Sequence, residues 1–277
     1  FRSDTGAGAG NISFLSTVDG NQSLTMTADT GNVTAAGVVG GATPLSMFDV
    51  VSATNVTLDA VTTQNNAVAG DTINIGSGAG PITGTILLTG DLSTAGAGAG
   101  TATGGIRLNN SGTVDLQADG AGTAGSITLQ TNENGAAADG AVTFVGGTTV
   151  QSVNAWEDGL TIDVGSNNVD LTPATLTNLD HLVVMTDVAN NVTLGVVTVG
   201  DGLGTPEDSI DITTGTLNLT GNLSTDGDTT NNAGNIDINA NVNLNAAVTM
   251  DTDAGTDGNI DVSGTIDGAN DLTFVAG

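Results

Sequence analysis

The stretch GNIDINANVNLNAAVTM at positions 234–250 aligns without gaps to GNIDVSGTIDGANDLTF at positions 258–274. In each copy the apolar residues recur in steps of six, as Ile236, Val242 and Val248 and then as Ile260, Ile266 and Leu272. The offset between the copies is far shorter than a β-sandwich domain, which is the rival fold. Three short strands closed by a Gly-rich turn instead describe one coil of a solenoid. The pattern predicts an all-β fold, a three-sided parallel β-helix.

The same spacing is found at the other end of the chain, in GNISFLSTVDGNQSLTM at positions 10–26. Between these regions, short runs alternate apolar residues with Thr, Asn, Asp or Ser, and Gly, Asn and Asp separate the runs. Alternation of this kind is typical of half-buried strands, and the separating residues suit tight turns. With about 22 to 26 residues per coil, we expect roughly a dozen coils and a rod of about 55 to 60 Å.

A longer duplication lies over the coil repeat. GTILLTGDLST at 84–94 matches GTLNLTGNLST at 215–225. We therefore interpret residues 45–147 and 180–277 as two copies of one multi-coil block within a single continuous β-helix of residues 1–277. No capping segment is evident at either end, so we expect either further repeats or end-to-end stacking.

The composition agrees with a narrow core. The chain has 42 Gly but only six aromatic residues, five Phe and Trp156. A large globular core normally uses more aromatic side chains, because each buries a large area. Disorder, the other interpretation of few aromatics and high charge, is less consistent with a 38% hydrophobic content arranged in alternating runs.

The charge excludes two classes of function. Thirty acidic residues face two basic ones, Arg2 and Arg107, which gives a formal net charge of −28. Nucleic acids and anionic bilayers are bound through Lys and Arg, so neither is an expected partner. The chain has no Cys, and no apolar run approaches the roughly 20 residues of a membrane span. Export is inferred from composition alone.

The repeat starts of the form GN-[IV] at Gly10, Gly31, Gly234 and Gly258 carry a family resemblance, together with the L-T-[MF] ends at Leu24 and Leu272 and with TGNVTAAGVVGGATPL at 30–45. In these motifs the chain resembles the repeat regions of filamentous-haemagglutinin-like giant bacterial surface adhesins. The resemblance implies a right-handed β-helix that serves as a non-catalytic shaft, outside the cell or on its surface. It also implies partners of two kinds, neighbouring copies or further repeats of the same protein and a host or cell-surface glycan or protein. The alternative is a self-assembling subunit of an extracellular filament or surface layer.

Acidic turns are candidate metal sites. DTDAGTDGN at 251–259 and STDGDTTNNAGN at 224–235 present carboxylates in tight turns, partly like calcium loops. The candidate ligands are Asp251, Asp253, Asp257, Asp226 and Asp228. No helices flank these loops and no terminal Glu follows, so solvated turns are the alternative. No cofactor is required by the sequence, and Ca²⁺ is the ion that these residues would take.

Asn residues recur immediately before the first strand of the repeat units, at Asn11, Asn32, Asn235 and Asn259. Stacked Asn side chains can form hydrogen bonds from coil to coil, so we predict Asn ladders at these positions.

His181 and Trp156 are each unique in the chain. A nucleophilic triad would need His181 beside a Ser and an Asp, and no nucleophile motif surrounds any serine. We expect His181 to pack at a strand edge and Trp156 to cover a loop. Glycoside hydrolysis would need aromatic platforms that the chain largely lacks. Ice binding would need a T-x-T pair that recurs on one face, and the pair Thr25/Thr27 does not recur at the same place in successive units. No catalytic residue is predicted.

Overall fold

The computed structural model describes residues 1–3, 10–64, 71–78, 80–96, 104–118, 125–132, 139–145, 147–200, 209–225, 234–252 and 258–276. Every regular element in these ranges is a β-strand, and the strands that pair do so in parallel. The described residues include no helix that is long and apolar enough to cross a membrane. The predicted all-β class and the parallel, solenoid-like pairing of strands are thus confirmed.

The first thirteen strands are β1 (Ile12–Phe14), β2 (Ser23–Thr27), β3 (Val33–Ala35), β4 (Met47–Ser52), β5 (Val56–Leu58), β6 (Val61–Gln64), β7 (Asp71–Ile75), β8 (Thr85–Leu88), β9 (Leu92–Gly96), β10 (Gly105–Asn109), β11 (Thr113–Leu116), β12 (Gly125–Gln130) and β13 (Val142–Val145). The remaining strands are β14 (Thr149–Ser152), β15 (Asp158–Gly165), β16 (Val169–Asp170), β17 (Thr175–Leu179), β18 (Leu182–Thr186), β19 (Asn191–Leu194), β20 (Val197–Val199), β21 (Ile210–Leu219), β22 (Leu223–Ser224), β23 (Ile236–Leu244), β24 (Val248–Asp251), β25 (Ile260–Val262), β26 (Ile266–Gly268) and β27 (Leu272–Val275).

The chain forms two compact units. Unit 1 comprises Phe1–Asp115 and Ile127–Thr148, and unit 2 comprises Leu116–Ser126 and Thr149–Gly277. The prediction of one continuous β-helix with duplicated blocks stays a prediction.

In unit 1 the strands stack in ladders in which each strand pairs with a strand two or three positions later in the chain. One ladder runs β1-β3-β5-β8, another runs β2-β4-β7-β10-β13, and a third joins β6 to β9. The ladders align apolar residues into columns, one of which is Leu24, Phe48, Ile73, Ile106 and Val142. All five side chains of this column are buried. Each such side chain contributes about 1.5 to 3 kcal/mol through burial.

Unit 2 contains ladders of the same kind. One runs β14-β17-β20-β22-β24-β27, another β16-β19-β21, and a third β15-β18-β21-β23, with β23 also pairing β25 and β26. The register at the end of this unit is the one that the sequence alignment predicts. The observed pairs are Ile236 with Ile260, Val242 with Ile266, and Val248 with Leu272.

Paired residues are not equally spaced along the chain. Ile12 pairs with Val33, whereas Leu92 pairs with Leu129 across a much longer interval of sequence. Four buried Thr hydroxyls each donate to the carbonyl of a Gly six to ten residues later in the chain, in the pairs Thr94–Gly104 (2.6 Å), Thr131–Gly140 (2.6 Å), Thr225–Gly234 (2.8 Å) and Thr252–Gly258 (3.0 Å). This bond gives each buried hydroxyl a hydrogen-bond partner.

Candidate functional site

The aspartates predicted as calcium ligands are only partly within the described residues. Asp251 lies at the end of β24, half-buried, and its backbone carbonyl accepts a hydrogen bond from the Thr225 N–H at 3.0 Å. Its register partners are Ser224 and Val275, not carboxylates. Asp253, Asp257, Asp226 and Asp228 lie outside the described residues.

Calcium binding therefore stays a prediction. Within the described ranges, no three His, Cys, Asp or Glu side chains are grouped so that they could hold a metal ion. We expect the thermal unfolding midpoint to rise in calcium and to return when a chelator is added, because an ion bound only to the folded chain stabilises it. An unchanged midpoint would contradict the assignment of these five aspartates.

A different set of carboxylates is brought together by the strand register. Asp211 of β21 is paired with Asp237 of β23, and Asp237 is paired with Asp261 of β25. Neighbouring strands lie about 4.8 Å apart, so three like charges stand in one outward-facing column. This column was not predicted, although its signal is visible in the sequence as IDI at 210–212, IDI at 236–238 and IDV at 260–262.

Replacing the central carboxylate, Asp237→Asn, is expected to stabilise the chain by about 0.2 to 1 kcal/mol at low salt, because like charges directly opposite on a sheet repel. The gain should shrink in 1 M salt, where the screening length is only about 3 Å. Urea unfolding at both salt concentrations measures the effect. Asp267→Asn is the matched control, because Asp267 is paired with Asn243. Equal effects of the two substitutions would contradict the role of the column.

One of the two arginines is held on the surface of unit 1. Arg107 of β10 donates through Nη1 to Asn74 Oδ1 at 3.3 Å and to the Gly76 carbonyl at 3.0 Å. Asp71, on the neighbouring strand β7, is half-buried near this cation. Burial raises the pKa of the Asp71 carboxyl, and the charge of Arg107 opposes that rise.

This raised pKa predicts a pH dependence of stability. The folded chain holds the Asp71 proton more tightly than the unfolded chain does, so the stability that it contributes is greatest below the unfolded pKa of about 3.9. That contribution is lost as the pH rises through the folded pKa. In the Asp71→Asn variant this position does not titrate, so its contribution to stability does not change with pH. The free energy of unfolding of the variant, relative to that of the native chain, should therefore increase with pH across this window. Urea unfolding at several pH values tests this, and a pH-independent difference would contradict it.

The predicted Asn ladders are confirmed. In unit 1 the Asn32 N–H donates to Asn11 Oδ1 at 2.9 Å, and the Asn55 N–H donates to Asn32 Oδ1 at 3.2 Å. In unit 2 the Asn259 N–H donates to Asn235 Oδ1 at 2.8 Å. Each side chain therefore caps a backbone donor of the next strand layer, where the ladder of strand hydrogen bonds begins.

His181 lies in a polar cluster of unit 2, immediately before β18. Its Nδ1 is 2.8 Å from Asp180 Oδ2, and its Nε2 is 3.1 Å from Ser126 Oγ. The Ser126 hydroxyl is also 3.1 Å from Thr161 Oγ1. These are the Ser and Asp neighbours that the sequence alone did not supply. Ser126 is distant from His181 in the chain and lies in no nucleophile motif, so no local signal points to it.

Trp156 lies in the turn before β15. It is half-buried, has a positive φ of 65°, and donates its backbone N–H to the Asn178 carbonyl at 3.1 Å. Asn178 also has a positive φ, of 56°. This turn is thus hydrogen-bonded to the segment that leads into the His181 cluster, since Asn178 shortly precedes Asp180.

Comparison of the chain with protein-family models, with curated proteins and with solved structures found no match.

Proposed function

We propose that the chain is a right-handed, three-sided parallel β-helix with coils of about 22 to 26 residues, serving as the structural shaft of a secreted or cell-surface repeat adhesin. The observation that carries this proposal is the single sequence offset shared by the pairs Ile236 with Ile260, Val242 with Ile266, and Val248 with Leu272. Three successive strands that keep one offset make up a full coil stacked on the next. In such an array each coil adds stability through its neighbour, which suits a spacer of variable length.

The surface composition supports the same role. Outward-facing strand positions carry Thr, Asn and Asp in large part, as in β23, where Asp237, Asn239, Asn241 and Asn243 alternate with buried residues. A net charge of −28 favours solubility and disfavours chance association between like chains. Together with the adhesin resemblance, these features favour an extracellular or cell-surface bacterial location and a glycan or protein receptor contacted by another part of the array.

A second function is favoured by one observation. Strands β25, β26 and β27 pair with β23 and β24, and no further partner strand occurs among the described residues. Ile266 and Phe274 on these strands are 40% and 51% exposed. Unpaired strand edges with apolar side chains are templates for another strand. The partner would be further coils of the same chain or a second copy, and a second copy would make the chain a filament or surface-layer subunit.

Electron microscopy of the purified chain over a range of concentrations separates the two functions. Separate particles at every concentration support the shaft, whereas end-to-end filaments support the self-assembling subunit. If filaments form, the double substitution Ile266→Asp and Phe274→Asp should abolish them. Both new charges would lie in the contact between one copy and the next. Leu15→Asp, at a residue that is 82% exposed in unit 1, is the control. A crystal structure with left-handed or two-sided coils would contradict the proposed β-helix.

A further inference from the structure

The cluster around His181 has the order of groups found in an activated nucleophile. Ser126 Oγ, the two imidazole nitrogens and Asp180 Oδ2 follow one another at 3.1 Å and 2.8 Å. Both distances are within the roughly 2.6 to 3.2 Å expected for a nucleophile, its base and the group that orients the base. We propose that Ser126 is a reactive serine, activated by His181 and oriented through Asp180, which accepts the acyl group of small carboxylic esters.

The directions of the hydrogen bonds follow from the chemistry of the groups. An ionised carboxylate can only accept, so Asp180 requires the proton of a neutral imidazole to be on Nδ1. Nε2 is then unprotonated and accepts the hydrogen of Ser126 Oγ. Because this uses the only hydrogen of the serine hydroxyl, Thr161 must donate its own hydrogen to Ser126 Oγ across their 3.1 Å separation. The serine therefore faces a base on one side and a donor on the other.

The imidazole fits in this position because residue 159, on the neighbouring strand, is a glycine and has no side chain. Leu160 is paired with Leu182, so Gly159 stands opposite His181 on the neighbouring strand. A Cβ at position 159 would overlap Cε1 and Nε2 of the imidazole ring. The ring thus lies against the Gly159 backbone and passes over it to reach Ser126. Any other residue at position 159 would force the ring out of this path.

The cluster is partly exposed. The side chains of His181 and Asp180 are 16% and 18% exposed, and Ser126 is half-buried in β12. The base is thus partly shielded from water, and none of the three residues is fully buried.

The reaction is an acyl transfer. Ser126 Oγ forms a bond to the ester carbonyl carbon while its proton moves to His181 Nε2. The bond from that carbon to the leaving alcohol then breaks, and the alcohol takes the proton from Nε2. The product is an acyl ester on Ser126 and a free alcohol, and water can hydrolyse this ester through the same base. The Thr161 hydroxyl is a hydrogen-bond donor beside Ser126 Oγ, the attacking oxygen.

The test is covalent labelling of the intact chain with a fluorophosphonate and, separately, with p-nitrophenyl acetate. Cleavage before aspartates releases residues 119–138, in which Ser126 is the only serine. Mass spectrometry then compares Ser126 with Ser93, a half-buried serine on β9 whose Oγ lies 3.4 Å from Gln130 Oε1. We expect Ser126 to be labelled at least about tenfold faster, since a positioned general base contributes about 10² to 10⁴.

Three variants test whether Ser126 reacts because His181 activates it or only because it is exposed to the reagent. His181→Gln and Gly159→Ala should each reduce labelling of Ser126 to the level of Ser93, with the circular dichroism spectrum unchanged. Asp180→Asn should lower the labelling rate, because the acceptor of the Nδ1 proton becomes an uncharged amide oxygen. The nitrogen NMR shifts of the imidazole should change with it, and they are simple to assign because the chain has one histidine. Equal labelling of Ser126 and Ser93 in the native chain would overturn the proposal, even if a variant fails to fold. An unchanged rate in folded His181→Gln would overturn it as well.

Discussion

Replacing Phe48 by alanine is expected to lower the free energy of unfolding by about 3 to 5 kcal/mol, the usual cost of removing a buried Phe side chain. Phe48 is fully buried and lies between Leu24 and Ile73 in a five-residue apolar column of unit 1. The cavity cannot close easily, because the strands on both sides of β4 are fixed by their own backbone hydrogen bonds. Since each layer stabilises its neighbours, the loss should affect the layers before and after it.

Urea unfolding followed by circular dichroism measures this loss. Phe274→Ala is the matched control, because Phe274 lies on a strand of the same kind but is 51% exposed. The control should cost well under half as much, in proportion to the smaller area that it buries. Equal costs for the two substitutions would show that the Phe48 column is not the core of unit 1.

Replacing Gly40 by alanine is expected to cost about 2 to 5 kcal/mol, from two sources. Gly40 has a φ of 76°, a left-handed conformation that costs an L-residue about 1 to 2 kcal/mol. In addition, a Cβ at this position would overlap the carbonyl oxygen of Thr62. That oxygen accepts a hydrogen bond from Leu45 N–H at 3.2 Å, so it cannot move away without loss. Overpacking of this kind typically costs about a further 1 to 3 kcal/mol.

Gly147→Ala separates these two sources. Gly147 has nearly the same φ, 75°, but a Cβ there would have no atom within 4 Å. Its substitution should therefore cost only the conformational part, and the difference between the two variants measures the overlap with Thr62. Thermal and urea unfolding of both variants provide the comparison. A Gly40→Ala variant no less stable than Gly147→Ala would contradict the close strand approach at Gly40.

The strands and their register at the end of the chain could be predicted because their signals are local. Alternation of period two marks which side chains face inward, and a gapless repeat such as 234–250 with 258–274 leaves one register to choose. The Asn ladders followed for the same reason, since Asn235 and Asn259 hold the same place in successive copies. The carboxylate column of Asp211, Asp237 and Asp261 was equally predictable from its recurring I-D-[IV] triplets.

The tertiary structure alone decided where the repeat is irregular. The interval of sequence between paired residues is much longer for Leu92 and Leu129 than for Ile12 and Val33, so alignment by a constant period cannot find every neighbour. Several buried Thr hydroxyls bond to a Gly carbonyl nine or ten residues later, and no local sequence motif predicts these bonds. The described examples include Thr94, Thr131 and Thr225.

The sequence by itself determined a parallel all-β fold with alternating strands, because that information is contained within each short run. Only the tertiary structure placed His181 between Ser126 and Asp180, and only it gave Gly159 the role of leaving space for the ring. The physical reason is that hydrogen bonding between strands sets which residues from distant parts of the chain share a column. That pairing depends on the length of every turn between them, which composition and local pattern do not specify.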